Sequence, residues 1–387
     1  MRAQIESDIR GWDALPEHRT GTPGDDATAQ WLAGLLRDAG AEPHIDTFPF
    51  ARRIPTRCVI EIDGRSVPGV PLFDGGTTNA TGIAGPLAPL APLTGPAAIA
   101  AGIAVTRFES VGGASAQTLD DARRSDSHRA IVAVAAGNAV VPGLALRNAD
   151  AYTAPFGPPV LQVATEHGPW LDQAAQRGAT ARLTAHVTTD DTTASNVHAT
   201  IPGGTPGLAP LVVMTPRSAW WTCTAERGGG IAAWFATLRR FAADRPQRDV
   251  IFTANTGHEL GHVGLDHHLA THPGLAAGAH AWLHLGANFA ALEGAIRYQS
   301  SDDEFLALGV DQLSAAGVPP TAVAPIGPRP GGEARNIYDA GGRYLSLIGG
   351  NRWFHHPDDR WPDTVDLAKT ERVVRAVLAI ADALAHA

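Results

Sequence analysis

Apolar positions recur at helical spacing near the start of the chain. Trp31, Leu32, Leu35, Leu36 and Ala39 share a face, and Gly40 is placed to end the helix, so residues 1–40 read as helices. From about 66 to 190 the pattern changes: Gly, Pro, Ala and Thr dominate, apolar runs are short, and no long amphipathic helix is expected. Near 191 it changes back. The apolar run LVVM (211–214) predicts a strand, followed by a loop, Gly228-Gly229-Gly230, and a helix with Ile231, Trp234, Phe235, Leu238 and Phe241 on one face. DVIFTAN (249–255), AHAWLHL (279–285) and RYLSLI (343–348) predict further strands. A closing helix over about 363–386 carries Leu367, Val373, Val374, Val377, Leu378, Ala381 and Leu384. Such alternation predicts an α/β fold, a mixed, mostly parallel sheet with helices on both faces, with chemistry in loops beyond the strand C-terminal ends. Residues 1–65 and 191–387 then form one unit, and 66–190 a β-rich inserted domain.

Composition narrows the function classes. Hydrophobic residues make up 44% and charged residues 18% of 387, with 42 Gly and 29 Pro, so a sizeable core is expected rather than global disorder. Thirty Lys and Arg against 39 Asp and Glu leave a net charge of −9, without basic runs, which argues against nucleic acid or an anionic membrane as partner. Cys58 and Cys223, the only two cysteines, cannot make a disulfide scaffold and read as ordinary thiols. The longest apolar run, 97–105, is far short of the roughly 20 residues that span a bilayer. The polar opening MRAQIESDIRGW lacks a signal-peptide core, so a soluble, cytoplasmic protein is the expectation. The 16 histidines, clustered late, are the unusual feature.

The most prominent string is Gly257-His258-Glu259-Leu260-Gly261-His262. An HExxH zinc site needs its two histidines one turn apart inside a helix. Here a strand runs straight into glycines at 257, 261 and 264, which instead puts His258 and Glu259 at a strand end, facing a cleft. His262 then reads as a packed histidine, and His267, His268 and His272 as an inert, exposed helix face.

These residues, TGHELGHVGLDHHLATHP, resemble the G-x-E-E-x-G-x-x-G string of the M28 metallo-aminopeptidases and their relatives the glutaminyl cyclases. Other segments fall in the same order. RTGTPGDDATAQWLAGLLRDAGAE (19–42) is similar to the family's N-terminal helix, and SNVHATIPGG (195–204) to the strand re-entering the catalytic domain. GGEARNIYDAGGRYLSLIGG (331–350) and FHHPDDRWPDTVD (354–366) are similar to the C-terminal segments. PPVLQVATEHGPWLDQAAQRGATARL (158–183) resembles the end of a protease-associated (PA) domain, which makes 66–190 a PA-like insert in a zinc-exopeptidase-like fold.

The resemblance implies two metals held by five side chains, and it carries over unevenly. The first ligand His falls on Thr215, and the Asp two residues on becomes Arg217. The bridging Asp becomes Glu226 and the general-base Glu becomes His258. The adjacent ligand stays as Glu259, a later Asp falls on Gly286, and the final His is His355. One metal site is thereby lost. Glu226, Glu259 and His355 remain as donors for one zinc ion. The same residues without metal, with Arg217 and Arg227 as counter-charges, are the other state left open.

The expected function is that of a divergent hydrolase acting on an amide or peptide-like bond of a small-molecule or peptide-like substrate. Catalysis falls to His258, as general base, with Glu259 and Arg217. Trp220, Trp221, Arg227, His284, Asn288, Glu333 and His356 are expected to bind substrate. The alternatives are a metal-free enzyme performing cyclase- or lyase-type proton transfer, or a non-catalytic binding protein on the same fold. Assembly into homo-oligomers stays open.

Overall fold

Every residue of the strand Leu211–Pro216 is buried, as expected for a strand covered on both faces. It pairs in parallel with Val250–Asn255 on one side and Ala281–Leu285 on the other, and Tyr344–Gly349 extends the parallel set. Ile296–Ser300 adds an antiparallel edge beyond Tyr344–Gly349. The computed structural model describes residues 1–90, 102–110, 114–125, 127–136 and 141–387, so the first part of the apolar run at 97–105 lies outside the described residues.

Helices cover both faces of this sheet. On one, Arg2–Asp13, Pro23–Asp38, Thr224–Ala243 and Leu367–His386 enclose a core around Trp12, Trp234, Phe235 and Phe252. On the other, Val263–Thr271 and Ala334–Asp339 bury Leu265, Ala334 and Ile337 against Val212, Met214 and Trp282. The last helix starts at Leu367 rather than near 363, because Asp366 caps it by accepting the Lys369 N–H at 2.8 Å. The three glycines lie inside the helix Thr224–Ala243 instead of preceding it. A Cβ on Gly229 would stand 2.8 Å from Ala290 and 3.0 Å from Phe289, so contact rather than chain termination accounts for them.

The strand Thr180–Ile201 joins the halves of the molecule. Its C-terminal end pairs with Val250–Asn255, its N-terminal end with Ile83–Pro89, and most of its length with His44–Ile62 in one long ribbon. Beyond the ribbon, Ile83–Pro89, Ile103–Phe108, Ala130–Ala135 and Val160–Val163 are parallel neighbours. Two short helices of 12 and 9 residues accompany them, Ala114–Ser125 and Gly168–Gln176. No described helix is long and apolar enough to cross a membrane.

Candidate active site

Four loops leave the C-terminal ends of the parallel strands and converge. The turn after Val250–Asn255 is the key one. Gly257, Gly261 and His262 all adopt left-handed φ (74°, 77° and 69°), so His258–Leu260 is one isolated 3-10 turn and the string is not a zinc-binding helix. Cys223, Asn288 and His355 are likewise left-handed (φ 47°, 70° and 59°), so four of the six positive-φ non-glycine residues among the described residues sit in these loops. Strain of this kind concentrates where function constrains the backbone.

Arg227 occupies the centre. Its Nη2 lies 2.6 Å from Glu259 Oε1 and 2.8 Å from Glu226 Oε1, and its Nε donates to the Ser218 carbonyl at 2.8 Å. Burial alone would raise the Glu226 pKa, but Arg227 and His355 outweigh it and hold this carboxyl at about 2. Glu259 is fixed on its other oxygen by the Ser218 hydroxyl, which donates at 2.6 Å and accepts the His258 N–H at 3.0 Å. Nothing in a single sequence marks Ser218 for this role.

His258 and Glu333 face each other, Nδ1 to Oε1, at 3.4 Å. Burial pushes Glu333 up to about 8, with Arg227 opposing; burial, then Arg227, pushes His258 well below the usual imidazole value. At neutral pH the pair is therefore a protonated carboxyl beside a neutral imidazole. His262, expected only to pack, stacks on His258 with ring centres 4.8 Å apart and is held by Asn336 at 2.6 Å. His284 is anchored through Nδ1 to the Ser346 hydroxyl at 2.8 Å.

The same centre gathers buried polar atoms with no hydrogen-bond partner within the protein: Arg227 Nη1, His258 Nδ1, both Glu333 oxygens, His284 Nε2, Asn288 Oδ1 and His355 Nε2. Native interiors leave few such groups. Seven of those found among the described residues lie here.

The other expected residues have partners of their own. Arg217 turns away from the centre; its guanidinium grips Asp25 at 2.8 Å and Ser195, both buried, and ties the helix Pro23–Asp38 to the sheet. His356 links two segments, donating to the Pro142 carbonyl at 2.9 Å and accepting the Asp358 N–H at 3.1 Å. Trp221 donates to the His355 carbonyl at 3.0 Å and lies under the Arg19 guanidinium. Trp220 is 4% exposed, stacks on Phe73, and lines a cavity of about 300 Å³ with Arg19, Arg53, Tyr152 and Glu259. His268, expected to be exposed, is fully buried.

The segment 142–152 closes over the centre. The Ala149 N–H donates to the Glu259 carbonyl at 2.8 Å, Leu146 exchanges contacts with His355, Asn148 accepts from Trp220 Nε1 at 3.1 Å, and Asp150 pairs with Arg335 at 3.0 Å.

Whether zinc fits is decided by Arg227. A divalent ion bonded to both carboxylates would have to sit where a permanent cation already bridges them. Thr215, at a lost ligand position, donates to the Leu285 carbonyl at 2.8 Å, and Gly286 brings no side chain. His355 keeps the habit of a ligand, with Nδ1 on the Leu146 carbonyl at 2.8 Å and Nε2 free, but it faces only Glu226, at 3.4 Å. Glu226, Glu259 and His355 in this arrangement do not suit a metal. A second donor group, Cys223, Glu226 and Asp359, is compact. Yet Asp359 already accepts the Ala225 and Glu226 N–H groups at 2.9 and 3.0 Å and caps the helix Thr224–Ala243.

No protein-family model matches this sequence, and no curated protein matches it. Solved structures do. A zinc aminopeptidase from Bacillus subtilis matches with a TM-score of 0.77 and 15% identity, over 98% of this chain and 94% of that one. An M28 peptidase precursor from Shewanella amazonensis SB2B gives 0.75 and 14%, over 100% and 97%. An aminopeptidase from Aneurinibacillus sp. strain AM-1 gives 0.74 and 13%, over 100% and 94%. The chain has the fold of these aminopeptidases along its whole length; at such identities the likeness is one of fold.

Proposed function

We propose that this chain is a metal-free hydrolase on an aminopeptidase fold, cleaving an amide or peptide-like bond of a small substrate. The observation that carries the reading is the buried Glu226–Arg227–Glu259 bridge beside the partnerless His258 and Glu333. Arg227 supplies fixed positive charge between two carboxylates, and its free Nη1 is a donor for the oxygen on which negative charge develops. His258, neutral, takes a proton from the attacking water, and Glu333, protonated, gives one to the leaving nitrogen. The C–N bond breaks, leaving a carboxylic acid and an amine. Environments that push two titratable groups in opposite directions divide the acid and base roles in this way. The cavity bearing Trp220, Tyr152 and Arg53 takes the body of the substrate. In the same reading 66–190 is a PA-like unit supplying the closing segment 142–152.

Enclosure favours a second reading, cyclisation, in which the substrate's own nucleophile replaces water. Mass spectrometry of products from an amide and peptide panel separates the two: hydrolysis adds the mass of water, whereas cyclisation expels ammonia or water. Turnover lost in His258→Ala and Glu333→Ala supports either route. Saturable binding without product in the wild type overturns both and leaves a binding protein. Metal analysis tests the metal-free state: zinc that tracks activity, and is lost together with it in Glu259→Gln, would overturn it.

A further inference from the structure

The cavity beside the centre is opposite in charge to the molecule as a whole. The chain carries a net charge of −9, yet Arg19, Arg52 and Arg53 all line this cavity, and among the described residues Glu259 is the one carboxylate that does. Both Glu259 oxygens are engaged, one by Arg227 at 2.6 Å and the other by the Ser218 hydroxyl at 2.6 Å. Phe50, Phe73, Tyr152 and Trp220 form the apolar wall, stacked as two pairs with ring centres 5.5 and 5.3 Å apart. We propose that the cavity selects a substrate with an aromatic body and a free carboxylate, which Arg19 receives. With the hydrolase reading above, on which this rests, the substrate class is an N-acylated aromatic amino acid.

Arg19 is arranged to take an anion. Its Nε donates to the Trp220 carbonyl at 2.6 Å, and its guanidinium lies over the Trp221 ring, 4.5 Å from the ring centre, so the planar fork is held in place. Its two terminal nitrogens bond to nothing among the described residues. Glu17, the carboxylate paired with it, stands 3.6 Å from Nε with a side chain 53% exposed, and a pair so long and so exposed is weak. Two parallel N–H groups match the two oxygens of a carboxylate, a fit that a lysine could not give.

The other two arginines set the sign of the field. The terminal nitrogens of Arg53 donate to the Phe73 and Tyr152 carbonyls, which leaves its charge without a counter-ion among the described residues. Arg52 meets Asp190 at 2.8 Å in an exposed pair, while its buried Nε has no partner. Cations gathered against an apolar wall focus a positive potential. An ammonium, such as the free amino terminus of a peptide, would meet three cations and no unengaged carboxylate. The cavity therefore favours the acid end of a small molecule over its amine end.

The test is binding of phenylpropanoate and of phenethylammonium, an acid and an amine of similar size, to the full chain by calorimetry. The wild type should bind the acid at one equivalent and at least about tenfold more tightly than the amine. Arg19→Gln should weaken the acid by at least about tenfold, the loss expected when a charged hydrogen bond is removed. The acid-to-amine comparison needs no variant, so it decides the matter even if Arg19→Gln does not fold. No binding of the acid, equal or tighter binding of the amine, or an Arg19→Gln protein that binds the acid as the wild type does would overturn the proposal. Hydrolysis separates it from the reading beneath it. N-acetylphenylalanine should be cleaved with a kcat/KM at least about tenfold above that of N-acetylphenethylamine, the same amide without the carboxylate. Selective binding of the acid with cleavage of neither amide would support the carboxylate site and overturn the hydrolase reading. Equal cleavage of both would support the hydrolase and overturn the site.

Discussion

Glu333 is the residue whose ionisation has the most to reveal. Buried, with both oxygens partnerless and a pKa raised to about 8, it carries its proton through the neutral range. As the acid, it must be protonated to act, so activity should fall above about pH 8, and Glu333→Gln should be slow at every pH without that alkaline limb. A pH–rate profile checks both statements. Stability reports the same group independently. Its folded pKa stands above the unfolded value of 4.5, so its contribution is intact below pH 4.5 and is lost as the pH climbs towards about 8, where the unfolded chain ionises first. The Glu333→Gln protein escapes that loss. Its melting temperature relative to the wild type should rise across this window, as thermal scans at a series of pH values would show. Arg227 offers a further residue-scale check. Arg227→Lys keeps the charge but cannot bridge two carboxylates with one planar fork, so it should lose at least about a hundredfold in kcat.

At the scale of elements, what was legible in the sequence was whatever depends on pattern alone. The buried strands, the helix bearing Trp234 and the terminal helix announce themselves by apolar period, and the strand-end position of His258 and Glu259 follows from the glycines around them. Roles set by partners were not legible. Arg217 was expected at the catalytic centre and Arg227 on the substrate, yet the first fastens Asp25 and the second bridges Glu226 and Glu259. Which one enters the centre depends on the path of the chain at Ser218–Cys223. The glycines of the helix Thr224–Ala243 make the same point. Gly229→Ala would push a methyl group to 2.8 Å from Ala290, so it should destabilise the fold by about 1–3 kcal/mol. Gly34, inside the helix Pro23–Asp38 with open space around it, should instead gain about 0.5–1 kcal/mol as Gly34→Ala. Urea denaturation of the two variants makes the comparison.

At the scale of the whole molecule, the segment 142–152 lies against the centre. Its amides at Leu146 and Ala149 bond to carbonyls of His355 and Glu259, so hydrogen exchange at these positions reports opening. Asp150→Ala removes the Arg335 tie and should quicken exchange across 142–152 while leaving the central strands protected. A bound substrate should slow it. Unchanged exchange in the variant would show that the segment does not open at that tie.

The ribbon sets how such opening can happen. Two halves joined by a slack linker would swing apart freely, but these share strands that run unbroken from one sheet into the other, paired from His44 to Ile62. Separation must therefore flex a β-ladder, and the place prepared for flexing is the register shift between Pro55 and Arg57, where the pairing is interrupted. The molecule is built as a leaf spring. With the Leu146 and Ala149 amides bonded to His355 and Glu259 it rests shut, and any parting of the two would bend the paired ladder and be opposed by it.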